Sequence, residues 1–109
     1  MCFFGESVII LCKSLKPTSI NGPLINQLIR SATSVGANYM EANGASSKKD
    51  FVNKIFICKK ELQESKHWLR MLSTAVPESS DKLRDLWREA QELTLIFQKI
   101  CSSSRNNSV

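Results

Sequence analysis

Glu41, Glu61, Glu64 and His67 carry what acid–base or metal-binding potential this chain has. An enzyme reading would need Glu41 and Glu61 as paired carboxylates for proton transfer or metal binding. Glu64-Ser-Lys-His67 has the Glu-x-x-His spacing that sets two ligands on one helical face. A bundle metal site uses that motif twice, and the sequence holds it once. His67 is the single histidine, so Ser34 has no base placed to activate it. Cys2, Cys12, Cys58 and Cys101 include no Cys-x-x-Cys pair, and one histidine does not complete a finger-like zinc site with them. Cys58 and Cys101 lie in apolar periodic runs, where a thiol behaves as a small hydrophobe. These thiols read as reduced and buried, as in a cytosolic protein. The stretch Gly36-Ala-Asn-Tyr-Met-Glu-Ala-Asn-Gly44 lacks the lysine and spacing of a phosphate loop. The reading is a protein with no catalytic residues, metal, cofactor or small-molecule substrate.

The lysines offer a different chemistry. The formal net charge is +5, and it is unevenly spread. Lys48 to Arg70 holds seven bases and three acids, and the rest of the chain eight bases and seven acids. At about 100° per residue, Lys48, Lys59, Lys66 and Arg70 fall within about 40° of one another. Lys49 and Lys60 form a second row beside them. Such a face can follow the phosphates of RNA or DNA, or it can be a solvated face that keeps the protein soluble. No RNA-recognition signature accompanies it, and Phe56 is the one aromatic near the stripe, so binding would be to backbone and weakly sequence-selective. The other flank of the same run carries Asp50, Ile57, Glu61, Glu64 and Trp68. Ile57 and Trp68 are apolar but off the main seam, as is Trp87 further on. Ile57, Glu61, Trp68 and Trp87 are therefore candidates for a subunit interface, where tryptophan is enriched.

Helices must position these groups. Three prolines and four glycines divide the chain into four segments, none with strand-like alternation. A first helix is predicted from about Gly5 to Lys16, through Val8, Ile9, Leu11, Cys12 and Leu15. A second runs from about Pro23 to Ala42, with Ile25, Leu28, Ala32, Val35 and Tyr39 on one face. Asn43-Gly44 would stop it in the left-handed conformation. Ser47 and Asp50 would cap a third helix running to about Thr74. Its seam, Phe51, Ile55, Cys58, Leu62, Ser65, Leu69 and Leu72, alternates steps of four and three. A fourth starts near Ser79 or Ser80 and carries Leu83, Leu86, Ala90, Leu93, Phe97 and Ile100. Such helices bury their faces most simply in an all-α, up-down-up-down antiparallel four-helix bundle with a short first helix. It would span residues 1–102, followed by a polar tail over 103–109. No apolar run approaches the roughly 20 residues of a membrane span. The apolar start lacks the basic lead and cleavage site of a signal peptide. On helix two, Arg30, Ser34, Asn38 and Glu41 share one side. Glu41 could meet Arg30 or a lysine of helix three, and Asn38 the backbone across the pair. Gly36 and Ala37 are small enough for close packing.

The stretch Gln27 to Leu72 resembles the bacterial four-helix bundle proteins first noticed as open reading frames in intervening sequences of 23S ribosomal RNA genes. Arg30, Ser31, Ala32, Ser34, Val35, Gly36, Ala37, Asn38, Glu41 and Ala42 match the first part of that family's motif. Ser47, Lys48, Lys49, Asp50, Phe51 and Glu61 match the second. Family members usually have a longer first helix. The resemblance implies a cytoplasmic protomer that assembles into a ring, a pentamer, and implies no catalytic activity. It also implies kinship with the basic, nucleic-acid-binding accessory proteins of diversity-generating retroelements.

Overall fold

Each apolar stripe forms a helix. The computed structural model describes residues 2–106: α1 spans Cys2–Lys13, α2 Asn21–Asn43, α3 Lys48–Ala75 and α4 Ser80–Asn106. A single 3-10 turn, Pro77–Ser79, joins the last two helices. The described residues contain no strand. The side chain of Cys2 and residues 107–109 of the expected tail lie outside the description, while residues 103–106 continue α4. Helices pack in the cyclic order α1, α2, α3, α4, with α1 closing against α4. This is an up-down-up-down four-helix bundle. At 1.5 Å per residue α3 is about 42 Å long and sets the rod's length, whereas α1 is about 18 Å.

The seam of α3 is buried over Ile55, Cys58, Leu62, Ser65, Leu69 and Leu72, and it packs mainly between α2 and α4. Each fully buried leucine contributes about 1.5–3 kcal/mol. Phe51, at the head of the seam, is only half-buried. Among these apolar residues Ser31 of α2 faces Ser65 of α3, their hydroxyls 2.9 Å apart. The Ser31 Oγ also lies 3.2 Å from the Leu28 carbonyl, and the Ser65 Oγ lies 2.9 Å from that of Glu61. Two hydroxyl protons serve these three contacts, so one serine donates to the other and gives up its backbone bond.

The helix ends show where local chemistry was hidden. Ser47 caps α3 as expected, its Oγ accepting the Asp50 N–H at 3.0 Å. The start of α2 lies earlier than Pro23. Thr18 Oγ1 accepts the Asn21 N–H at 3.0 Å, and Asn21 Oδ1 accepts the Thr18 N–H at 2.6 Å. That reciprocal pair is a capping box with asparagine in the usual Glu or Gln position. Gly44 does not adopt the left-handed conformation: its φ is −96° and ψ 7°. The helix closes instead through the Gly44 N–H, shared between the Met40 and Glu41 carbonyls, and an Ala45-to-Ala42 bond.

Gly36 is not the close-packing residue either, since no atom of another helix lies within 4 Å of where its Cβ would be. That role belongs to Gly5, whose Cβ would sit 3.4 Å from the Ala32 carbonyl oxygen and 3.5 Å from Thr33 Cα. Gly5 seats α1 on the first half of α2. Beyond α1's reach the diagonal from α2 to α4 is bridged by side chains, with Tyr39 and Phe97 ring centroids 6.0 Å apart.

The two glycines should respond oppositely in denaturant melts. Gly44→Ala fits the observed φ and ψ and should stabilise by about 0.4–1 kcal/mol through the unfolded chain. Gly5→Val forces α1 off α2 and should destabilise by about 1–3 kcal/mol.

Candidate nucleic-acid and assembly surfaces

The two flanks of α3 carry charges of opposite fate. On one, Arg30 of α2 reaches across the helix pair. Its Nη1 lies 3.3 Å from Glu61 Oε2, its Nη2 pairs with Glu64, and its Nε donates to Gln27 Oε1 at 3.1 Å. The Trp68 indole N–H also points to Glu64, at 3.4 Å. Further along, Lys54 pairs with Glu41 at 3.6 Å. Glu41 thus meets a lysine of α3 rather than Arg30. Glu41 and Glu61 belong to separate ion pairs and form no carboxylate dyad. His67 is exposed and packs its ring edge-on against Trp68, centroids 4.7 Å apart. Asn38 does not cross to α3: its Nδ2 donates to the Ser34 carbonyl, and Ser34 Oγ to that of Arg30, both at 2.8 Å.

On the other flank the bases are free. Lys48, Lys49, Lys60 and Arg70 are exposed, and none of them is in an ion pair among the described residues. Lys59 is half-buried, with its ammonium 5.2 Å from the centre of the Phe56 ring. Lys66 stands apart from this group. It donates to Gln91 Oε1 of α4 at 2.5 Å and lies 5.4 Å from the Trp87 ring centre, and burial lowers its pKa. The stripe is therefore continuous in direction, but its third member is engaged with α4. Lys54, on the same helix, is held by Glu41.

The four interface candidates divide as well. Ile57, Glu61 and Trp68 are half-buried on the flank that meets Arg30. Trp87 is half-buried on the α4 side, beneath Lys66. An exposed apolar pair, Leu95 and Ile96 at 55% and 49%, was missed by sequence reasoning. Their signal was present: both lie off the seam of Leu93, Phe97 and Ile100. Arg84 was missed too, because it stands outside the basic run of α3.

The helix order, the Arg30 crossing and the Ser47 cap set the geometry in which the matched motif residues sit. The pattern of the family described as 23S rRNA-intervening sequence protein matches residues 3–99. The chain belongs to that family. A crystal structure from Bacteroides thetaiotaomicron, of a protein of unknown function from the S23 ribosomal protein family, has the same fold. It is 28% identical with a TM-score of 0.80, and the alignment covers 91% of this chain and 92% of that one. No curated protein matches the chain. The α2–α3 hairpin lies within the matched span, and Arg30, Ser31, Ser47 and Glu61 make structural contacts in it.

Among the described residues no three His, Cys, Asp or Glu side chains gather as a metal set, and no helix is long and apolar enough to cross a membrane. Cys12, Cys58 and Cys101 are buried and unpaired. Burial pushes the Cys12 and Cys58 thiols from 9.0 up to about 11. Below pH 9 the unfolded and folded thiols are both protonated and these groups leave stability unchanged. As pH rises from 9 toward 11 only the unfolded thiols ionise, so stability falls. We expect iodoacetamide to spare these cysteines in the native protein at pH 8. The melting temperature should drop between pH 9 and 11, by less in a Cys12→Ala, Cys58→Ala variant.

Proposed function

We propose that this chain is a non-enzymatic, oligomeric cytoplasmic protein that binds the backbone of RNA or DNA through the basic flank of α3. The observation that carries the reading is the division of charge across α3. Its acids Glu61 and Glu64 share the one guanidinium of Arg30, while Lys48, Lys49, Lys60 and Arg70 stay exposed and outside any ion pair among the described residues. Lys48 to Arg70 spans about 33 Å along the helix, close to the 34–36 Å of one duplex turn. The family's description, which places it in the intervening sequence of 23S rRNA, supports an RNA setting.

Association into a ring, a pentamer by the resemblance, would repeat the basic flank and add the fields of the copies. Half-buried Trp68 and Ile57, with exposed Leu95 and Ile96, supply apolar surface for it.

Lys48→Glu, Lys59→Glu and Lys60→Glu together should weaken binding to both a duplex and a single strand. The slope of log affinity against log salt should flatten by about two to three. An unchanged slope would remove α3 from the interface. In sedimentation at micromolar concentration the wild type should run as an oligomer, and Trp68→Ala should shift it toward monomer. A monomeric wild type would refute the ring.

A further inference from the structure

Two adjoining depressions lie between α3 and α4. One, of about 310 Å³, has an apolar floor of Leu69 and Leu83, walls of Trp87, Arg70 and Arg84, and the Ser73 and Ser80 side chains. The other, of about 410 Å³, adds Lys66 and His67 and shares Arg70 and Trp87. Neither is lined by an acidic residue. The depression between α1 and α4 differs, with Asp85 and Glu89 against a single Lys82. Of these three depressions, the α3–α4 pair combines positive charge with an aromatic wall. Its volume is at the small end of ligand sites, roughly 300–1,000 Å³. Arg70 and Arg84 take part in no ion pair among the described residues, and a guanidinium matches phosphate bidentately. The Trp87 indole is positioned by Lys66, which is itself held by Gln91.

We propose that this cleft takes one unpaired nucleotide of a single strand, its base against Trp87 and its phosphates on Arg70 and Arg84. A paired base keeps its faces stacked in the duplex and cannot offer one to Trp87, whereas an unpaired base can. The cleft thus turns a backbone-binding flank into one that prefers unpaired segments. The inference rests on the nucleic-acid reading above and adds the strand class to it.

The test is fluorescence anisotropy at low salt with a labelled oligothymidylate and a duplex of equal length. Wild type, Trp87→Leu and Arg84→Gln are compared after confirming their helix content by circular dichroism. Wild type should favour the single strand. Trp87→Leu should lose roughly tenfold on the single strand and nothing on the duplex, abolishing the preference. Arg84→Gln should weaken the single strand more than the duplex, giving a second readout should Trp87→Leu misfold. Equal losses on both ligands, or no preference in wild type, would overturn the cleft assignment while leaving the α3 flank standing. If neither oligonucleotide binds, both readings fail. Quenching of Trp87 fluorescence by AMP in a Trp68→Phe protein would then assign the cleft to a free nucleotide instead of a strand, also against the proposal.

Discussion

The close α2–α3 seam is the contact on which the rest of this molecule depends. Ser31, Ala32, Cys58 and Ser65 are small, and all are buried. They let the two helices approach until the Ser31 and Ser65 hydroxyls touch and the Cys58 thiol reaches the Val35 carbonyl at 3.4 Å. At that separation Arg30 can span the pair and hold two glutamates of α3. A wider seam would leave those carboxylates in solvent beside the lysines, and the flank would be of mixed sign. The basic face is thus partly a consequence of how closely two helices pack. The ion pairs themselves contribute little stability because the Arg30 side chain is nearly half exposed and solvent screens it. Their effect is on where charge is left free.

The short first helix is the second constraint. Gly5 brings α1 against the α2 backbone at Ala32 and Thr33, and beyond that level three helices must close the bundle. Tyr39 and Phe97 meet there across the diagonal, so an aromatic pair fills part of the space a longer helix would occupy. Apolar surface is left over: Met40 of α2, Phe56 of α3, and Leu95 and Ile96 of α4 remain exposed. A rod of this size, with so much apolar surface uncovered, gains by association.

The α3 seam was legible because it follows one rule over its whole length. Apolar residues at steps of three and four must share a face, whatever they pack against. The Ser47 cap was legible for the same reason, since it concerns four consecutive residues. The start of α2 was missed because Thr18 and Asn21 form a less common version of the capping box. The Gly44 reading failed because glycine permits a left-handed residue without requiring one. Gly36 shows the same limit: a small residue marks a close approach only if something approaches.

The sequence by itself determined the four helices, their order, the seam of each and the angular grouping of the lysines on α3. These follow from the helical repeat, which is a property of neighbouring residues along one chain. Tertiary structure alone decided which charges remained free. Lys66 and Arg70 share a stripe, yet α4 offers Gln91 and Trp87 to the first and leaves the second exposed in a cleft. Likewise Trp68 and Trp87 looked alike as off-seam tryptophans, and α3 separates them onto a glutamate on one side and a lysine on the other. A side chain's partner depends on the depth and rotation of the facing helix, and no repeat within a single helix specifies those.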